Sequence, residues 1–131
     1  PLSQAELLSR KEGKVSQQHH FFDLINKSIH HFEGVLYRCG KFGKWKHRVC
    51  LLQDGMLSWF SVEKGERRGR MPLYGCKLRE LDPSNFSFEV ENSLGEKCSI
   101  AASDEIEMHS WLNSILKAKL FIEEQVDMIT F

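Results

Sequence analysis

Residues 34 to 52 read GVLYRCGKFGKWKHRVCLL, and no other stretch limits the possible folds so strongly. Two apolar-rich runs, Gly34 to Cys39 and Trp45 to Leu52, flank a short turn carrying Gly40 and Gly43, the pattern of a β-hairpin. Six of its residues are Arg38, Lys41, Lys44, Lys46, His47 and Arg48. Cations crowded around one turn need either abundant water or a polyanion, and the strand alternation argues for the polyanion. Side chains on a strand alternate, so Leu36 and Arg38 share a face, as do Lys46, Arg48, Cys50 and Leu52. The apolar members of that face belong to a core. Their cationic neighbours therefore point the same way but nearer the turn, where a sheet closing on itself leaves a mouth. A charge turned inward is costly unless it meets water or an anion. Arg38, Lys46 and Arg48 with the turn amides at Gly40 and Gly43 make a phosphate cradle.

The rest of the chain follows in short strands. Asp54-Gly55 is a two-residue turn signal leading to a strand over Met56 to Val62. After the loop EKGERRG come strands at Arg70 to Leu73, Cys76 to Leu81, Phe86 to Glu91 and Lys97 to Ala101, with Pro72 confined to an edge or a strand end. Seven short strands at close spacing make a sandwich or a small barrel. The period changes at Ser103, which can cap a helix whose first turn carries Asp104, Glu105 and Glu107. Met108, Trp111, Leu112 and Ile115 then recur at helical spacing, and Trp111 on that stripe is a plug for the core. Ahead of the hairpin, Phe21, Leu24, Ile25, Ile29 and Phe32 also fall at helical spacing, giving an N-terminal helical or linker segment over residues 1 to 32.

Composition excludes several classes. No apolar run approaches the roughly 20 residues that cross a bilayer, and the start lacks a signal-peptide core, so a cytoplasmic domain is expected. The first residue is Pro, which points to a piece of a longer protein. The cysteines at 39, 50, 76 and 98 form no CxxC pair, and His19, His20, His30 and His31 are adjacent pairs that splay apart on a helix, so neither disulfides nor a metal is expected. Net charge is zero but divided. Lys and Arg against Asp and Glu number 11 to 4 over residues 34 to 80 and 3 to 10 over residues 81 to 131. That division suits a polarised molecule with one face steering toward an anionic surface. Ser99 and Cys50 lack a base and an orienting acid, and no Gly-rich phosphate loop is present, so no enzyme and no cofactor are expected. Nucleic acid is disfavoured because the aromatics do not interleave with the cations and the last third is acidic.

The ordered set G-V-L-Y-R, W-K-H-R-V-C-L-L and D-G-M-L-S-W-F, seven strands, then one helix with a central Trp resembles a pleckstrin homology domain over residues 33 to 120. Residues 1 to 32 and a C-terminal tail, 121 to 131, lie outside the resemblance. It implies a mainly β fold, a seven-stranded partly open antiparallel barrel capped by one C-terminal α-helix, with the loops after strands one, three and six ringing the open end. In members that bind phosphoinositides, a basic residue late in strand one and a Lys-x-Arg pair early in strand two hold the inositol phosphates. Arg38, Lys46 and Arg48 occupy those positions, with Arg38 where many binders carry Lys. Trp59 and Arg68 align with two further contacts, and Trp59 is read as a packing residue. Lys41 and Lys44 supply field, and Phe42 at the turn tip suits shallow insertion among anionic headgroups. The expected role is a phosphoinositide-binding, peripheral membrane-recruitment module of a larger signalling or trafficking protein. The alternative is a protein-interaction module, engaging a small GTPase or an intramolecular partner through the N-terminal helix.

Overall fold

The computed structural model describes residues 31–129. Strands β1 (Phe32–Cys39), β2 (Trp45–Gln53), β3 (Met56–Ser61), β4 (Arg67–Pro72), β5 (Lys77–Glu80), β6 (Ser87–Glu91) and β7 (Lys97–Ala101) precede one helix, α1 (Glu105–Ile129). All pairings are antiparallel, in the order β4-β3-β2-β1-β7-β6-β5. The long hairpin is the hub of this sheet. β1 pairs with β2 along its whole length, from Phe32 opposite Leu52 to Cys39 opposite Trp45. It pairs with β7 only through Tyr37 and Arg38, so the sheet turns a corner at the late end of β1. The main core lies between the two halves, where Leu36, Cys50, Leu57 and Met71 from one pack with Phe88, Val90 and Ile100 from the other, and Val49, Leu51 and Phe60 form a second, smaller buried cluster on the opposite face of β2 and β3.

Local chemistry places the turns. Asp54 and Gly55 both have positive φ, 56° and 70°, the requirement of a type I′ hairpin turn. Pro72 is the last residue of β4, an edge strand, where its missing N–H costs no ladder bond. β4 begins at Arg67, three residues before the expected start, and its register with β3 shifts between Trp59 and Phe60. That irregularity hides the strand from a period-two reading, because alternation breaks across a bulge.

Two expectations at the ends of the domain change. Phe32 belongs to β1, not to a helical stripe, and its ring meets Trp111 edge-on at 4.8 Å. The other stripe residues, Phe21, Leu24, Ile25 and Ile29, lie outside the described residues. The helix cap is Asp104 in place of Ser103. Asp104 Oδ1 accepts the Glu107 N–H at 2.7 Å, while Glu107 Oε1 accepts the Ser103 N–H at 2.8 Å. Asp104 is thus the N-cap acceptor, Glu107 reaches back one residue beyond it, and the carboxylate adds a charge at the positive end of the helix dipole.

Trp111 plugs the core as expected, 1% exposed, with Gly34 on β1 beside its indole. The helix then runs through Ile129, covering most of the segment beyond residue 120. Ile122 lies against Gly55 of the β2–β3 turn, and Glu123 Oε2 accepts the Gly75 N–H at 3.0 Å. These contacts tie the last turns of α1 to the barrel.

Candidate functional site

The β1–β2 register puts Arg38 directly opposite Lys46 and Leu36 opposite Arg48. Leu36 is buried in the core, so Arg48 and the Arg38–Lys46 pair share the inner face, nearer the turn. Two cations facing each other across a ladder repel. No ion pair to a carboxylate relieves Arg38, Lys46 or Arg48 among the described residues.

Arg38 is half-buried and held from two sides. Its guanidinium lies over the Trp59 ring, 4.2 Å from the centroid, and its Nε donates to Cys98 Sγ at 3.4 Å. The ring face stabilises the cation. Cys98 supplies no charge: burial pushes its thiol up, against the pull of Arg38. The Cys50 thiol is raised too, by burial first and then by Cys98, while Arg38 and Arg48 draw it down. Both guanidinia therefore stand near neutral sulfur. The terminal nitrogens of Arg38 carry no partner among the described residues, which leaves them available to an anion. Arg48 folds back along its strand, donating from Nη1 to the His47 carbonyl at 2.9 Å.

Trp59 thus does more than pack. It is 7% exposed and forms the floor under Arg38, and Gly69 opposite it on β4 makes room for the indole. Strand alternation puts Trp59 on the core face, but only the curvature of the sheet across β2 brings it beneath a cation two strands away.

The turn behaves differently from its expected part. Gly40 N–H donates to the Lys44 carbonyl at 2.8 Å and Gly43 N–H to the Gly40 carbonyl at 3.0 Å. Both amides are spent inside the turn, so the cradle consists of side chains. A tight turn must satisfy its own amides, and glycine at φ 78° in position 43 lets it do so. Lys41, Phe42 and Lys44 are exposed, Phe42 at 89%. Phe42 therefore stands off the sheet and does not fold back onto it.

Arg68 lies on β4, exposed, 3.8 Å from Glu66. An ion pair this open to water contributes little. Antiparallel order sets the β3–β4 loop beside the β1–β2 turn, since Ser61 pairs with Arg48. The β6–β7 turn also lies at this end, but it is a closed knot. Asn92 Oδ1 accepts the N–H groups of Leu94 and Glu96, and Asn92 Nδ2 donates to Glu96 at 2.7 Å. The open end is thus ringed by three loops, of which the first two carry the cations.

Among the described residues there is no cluster of His, Cys, Asp and Glu able to hold a metal, and no helix long and apolar enough to cross a membrane. The PH domain family model matches residues 30–120. No curated protein matches the sequence. Among solved structures, the C-terminal PH domain of pleckstrin in complex with D-myo-Ins(1,2,3,5,6)P5 is similar at 22% identity and a TM-score of 0.63, over 67% of this chain and 93% of that one. The PH domain of human oxysterol binding protein-related protein 11 is similar at 22% identity and a TM-score of 0.64, over 73% of this chain and 85% of that one.

Proposed function

This chain belongs to the PH domain family, and from that premise we propose that it recruits its host protein to anionic membranes by holding a phosphoinositide headgroup at the β1–β2 hairpin. One observation carries the reading: Arg38 and Lys46 face each other across the ladder on the inner face with Arg48 beside them, and no acid answers them among the described residues. A multivalent phosphate placed between the strands would turn that repulsion into charge-assisted hydrogen bonds. Arg38 is pre-oriented by Trp59, which lowers the entropy lost on binding. Lys46, exposed and without an ion-pair partner among the described residues, completes the grip. Lys41 and Lys44 raise the local field, Arg68 adds to it from β4, and Phe42 anchors the turn among lipid headgroups. The inositol polyphosphate complex of the pleckstrin domain, a neighbour in fold, is consistent with this use of the architecture.

The test is sedimentation with vesicles carrying each phosphoinositide in turn, comparing wild type with Arg48→Ala. Loss of one charge-assisted contact is expected to weaken binding by roughly 10- to 100-fold. Wild type that sediments no better with any phosphoinositide than with phosphatidylserine alone refutes headgroup recognition, and leaves the fold serving protein docking.

A further inference from the structure

The alternation that turns Arg38, Lys46 and Arg48 inward turns Val35, Tyr37, Trp45 and His47 to the opposite face of the hairpin, where Val49 and Leu51, farther from the turn, are buried with Phe60 in a second cluster and only the part nearer the turn is exposed. Tyr37 and His47 are cross-strand partners whose rings stack at 4.0 Å and 26°. Trp45 is the next outward residue toward the turn, opposite Cys39. Val35, Tyr37 and Trp45 are 45%, 42% and 38% exposed, and Phe42 at the turn tip is exposed as well. The headgroup grip uses none of Val35, Tyr37, Trp45 or His47.

The chemistry of the patch selects its occupant. From Gly34 to Gln53 there is no Asp or Glu, so the charged residues nearest the aromatic face in the turn are Lys41 and Lys44. Tyr and Trp pair an apolar body with one polar edge, the combination that settles at a membrane–water interface. Cations beside such rings add attraction to anionic lipid. A protein partner would need its own acidic, apolar counterpart, whereas an anionic leaflet presents both properties together.

We propose that the outer face of the β1–β2 hairpin, through Tyr37, Trp45 and His47, lies in the headgroup–acyl boundary of an anionic bilayer. The domain then docks with the hairpin laid on its side, and Phe42 is the leading edge of a broader contact. This deepens the membrane-recruitment reading and rests on it.

Trp111 is buried in the core and Trp59 lies under Arg38 in the headgroup site, so the part of the tryptophan response to vesicles that a soluble inositol polyphosphate does not reproduce, and that Trp45→Ala removes, reports on Trp45. The probe is a vesicle of phosphatidylcholine, phosphatidylserine and phosphatidylinositol bisphosphate, with and without bromine on the acyl chains. The expected result is a blue shift of emission on binding and quenching by bromine placed near the headgroup. Trp45→Ala is expected to weaken vesicle binding by on the order of tenfold while keeping wild-type affinity for a soluble inositol polyphosphate. Arg48→Ala loses both. Vesicle binding with emission unshifted and unquenched overturns the proposal, assigns the face to a protein partner and leaves the headgroup reading standing. Equal loss of soluble-headgroup affinity in Trp45→Ala also overturns it, because the residue then acts through the inner site. Wild type that ignores the vesicles altogether overturns both readings.

Discussion

Gly69→Ala and Gly34→Ala make the same chemical change on two strands and are expected to move stability in opposite directions. Neither glycine has a positive φ, so neither is retained for backbone freedom. At Gly69 an added Cβ would sit 2.4 Å from Trp59 Cζ2, 2.6 Å from Cε2 and 2.7 Å from Nε1. Carbon atoms prefer about 3.5–4.0 Å, so the ring must retreat by roughly 1 Å. Trp59 is nearly fully buried and has the Arg38 guanidinium over its ring, so any retreat disturbs the packing around it. Overpacking costs about 1–3 kcal/mol, against a gain of about 0.4–1 kcal/mol from stiffening the unfolded chain. The net is a loss of about 1–2 kcal/mol, which lowers the melting temperature of a domain this size by roughly 5–15 °C. At Gly34 the new Cβ would meet Trp111 Cζ2 at 3.5 Å, an ordinary contact. There the unfolded-state term wins, and the variant gains a few tenths of a kcal/mol, up to about 1. Urea unfolding followed by tryptophan fluorescence measures both. A Gly69→Ala protein as stable as wild type, with its near-ultraviolet circular dichroism unchanged, would refute the tight Gly69–Trp59 contact and the rigid floor under Arg38.

Ending the chain after Leu120 removes Ile122 from the β2–β3 turn and Glu123 from the Gly75 amide. Thermal melting should show a loss of about 1–3 kcal/mol, and an unchanged midpoint would mean that the end of α1 contributes nothing to the barrel. Native protein treated with a disulfide reagent at neutral pH should modify Cys39 first, because Cys50, Cys76 and Cys98 are buried with thiols pushed up by burial. The same shifts set a sign for alkaline stability. The unfolded thiols ionise near their ordinary value of 9.0 while the folded ones stay protonated, so stability is full below that pH and falls as pH climbs past it. Denaturant midpoints that stay flat from neutral to alkaline pH in wild type would contradict the burial of these groups.

Much of this molecule is written in short-range pattern. Alternation along Gly34 to Leu52 assigns Leu36, Cys50 and Leu52 to the core and Arg38, Lys46 and Arg48 to the same face, and the register agrees residue for residue. Asp54-Gly55 names its own turn because few residues accept φ above zero twice in succession. β7 and the Trp111 stripe were equally legible, since each rests on an unbroken period. Where local signals competed, sequence was ambiguous. Phe32 continues a helical spacing and also begins a strand, and only its contact with Trp111, far along the chain, decides for the strand. Ser103 and Asp104 can both cap a helix, and the reach of Glu107 selects the second. β4 lost its early residues to a bulge that breaks alternation.

What the sequence by itself determined is which residues point together: a period of two along a strand needs no knowledge of the rest of the chain. What only the tertiary structure decided is what those residues meet. Cys98 lies 60 positions beyond Arg38, yet it receives the Arg38 Nε, Trp59 lies beneath the same guanidinium, and Gly69 makes room for Trp59. The turn amides that glycine spacing offers to a phosphate are taken by the turn itself. Such contacts depend on how far the sheet curls before it meets itself, a property of all seven strands at once, and no local stretch of side chains encodes it.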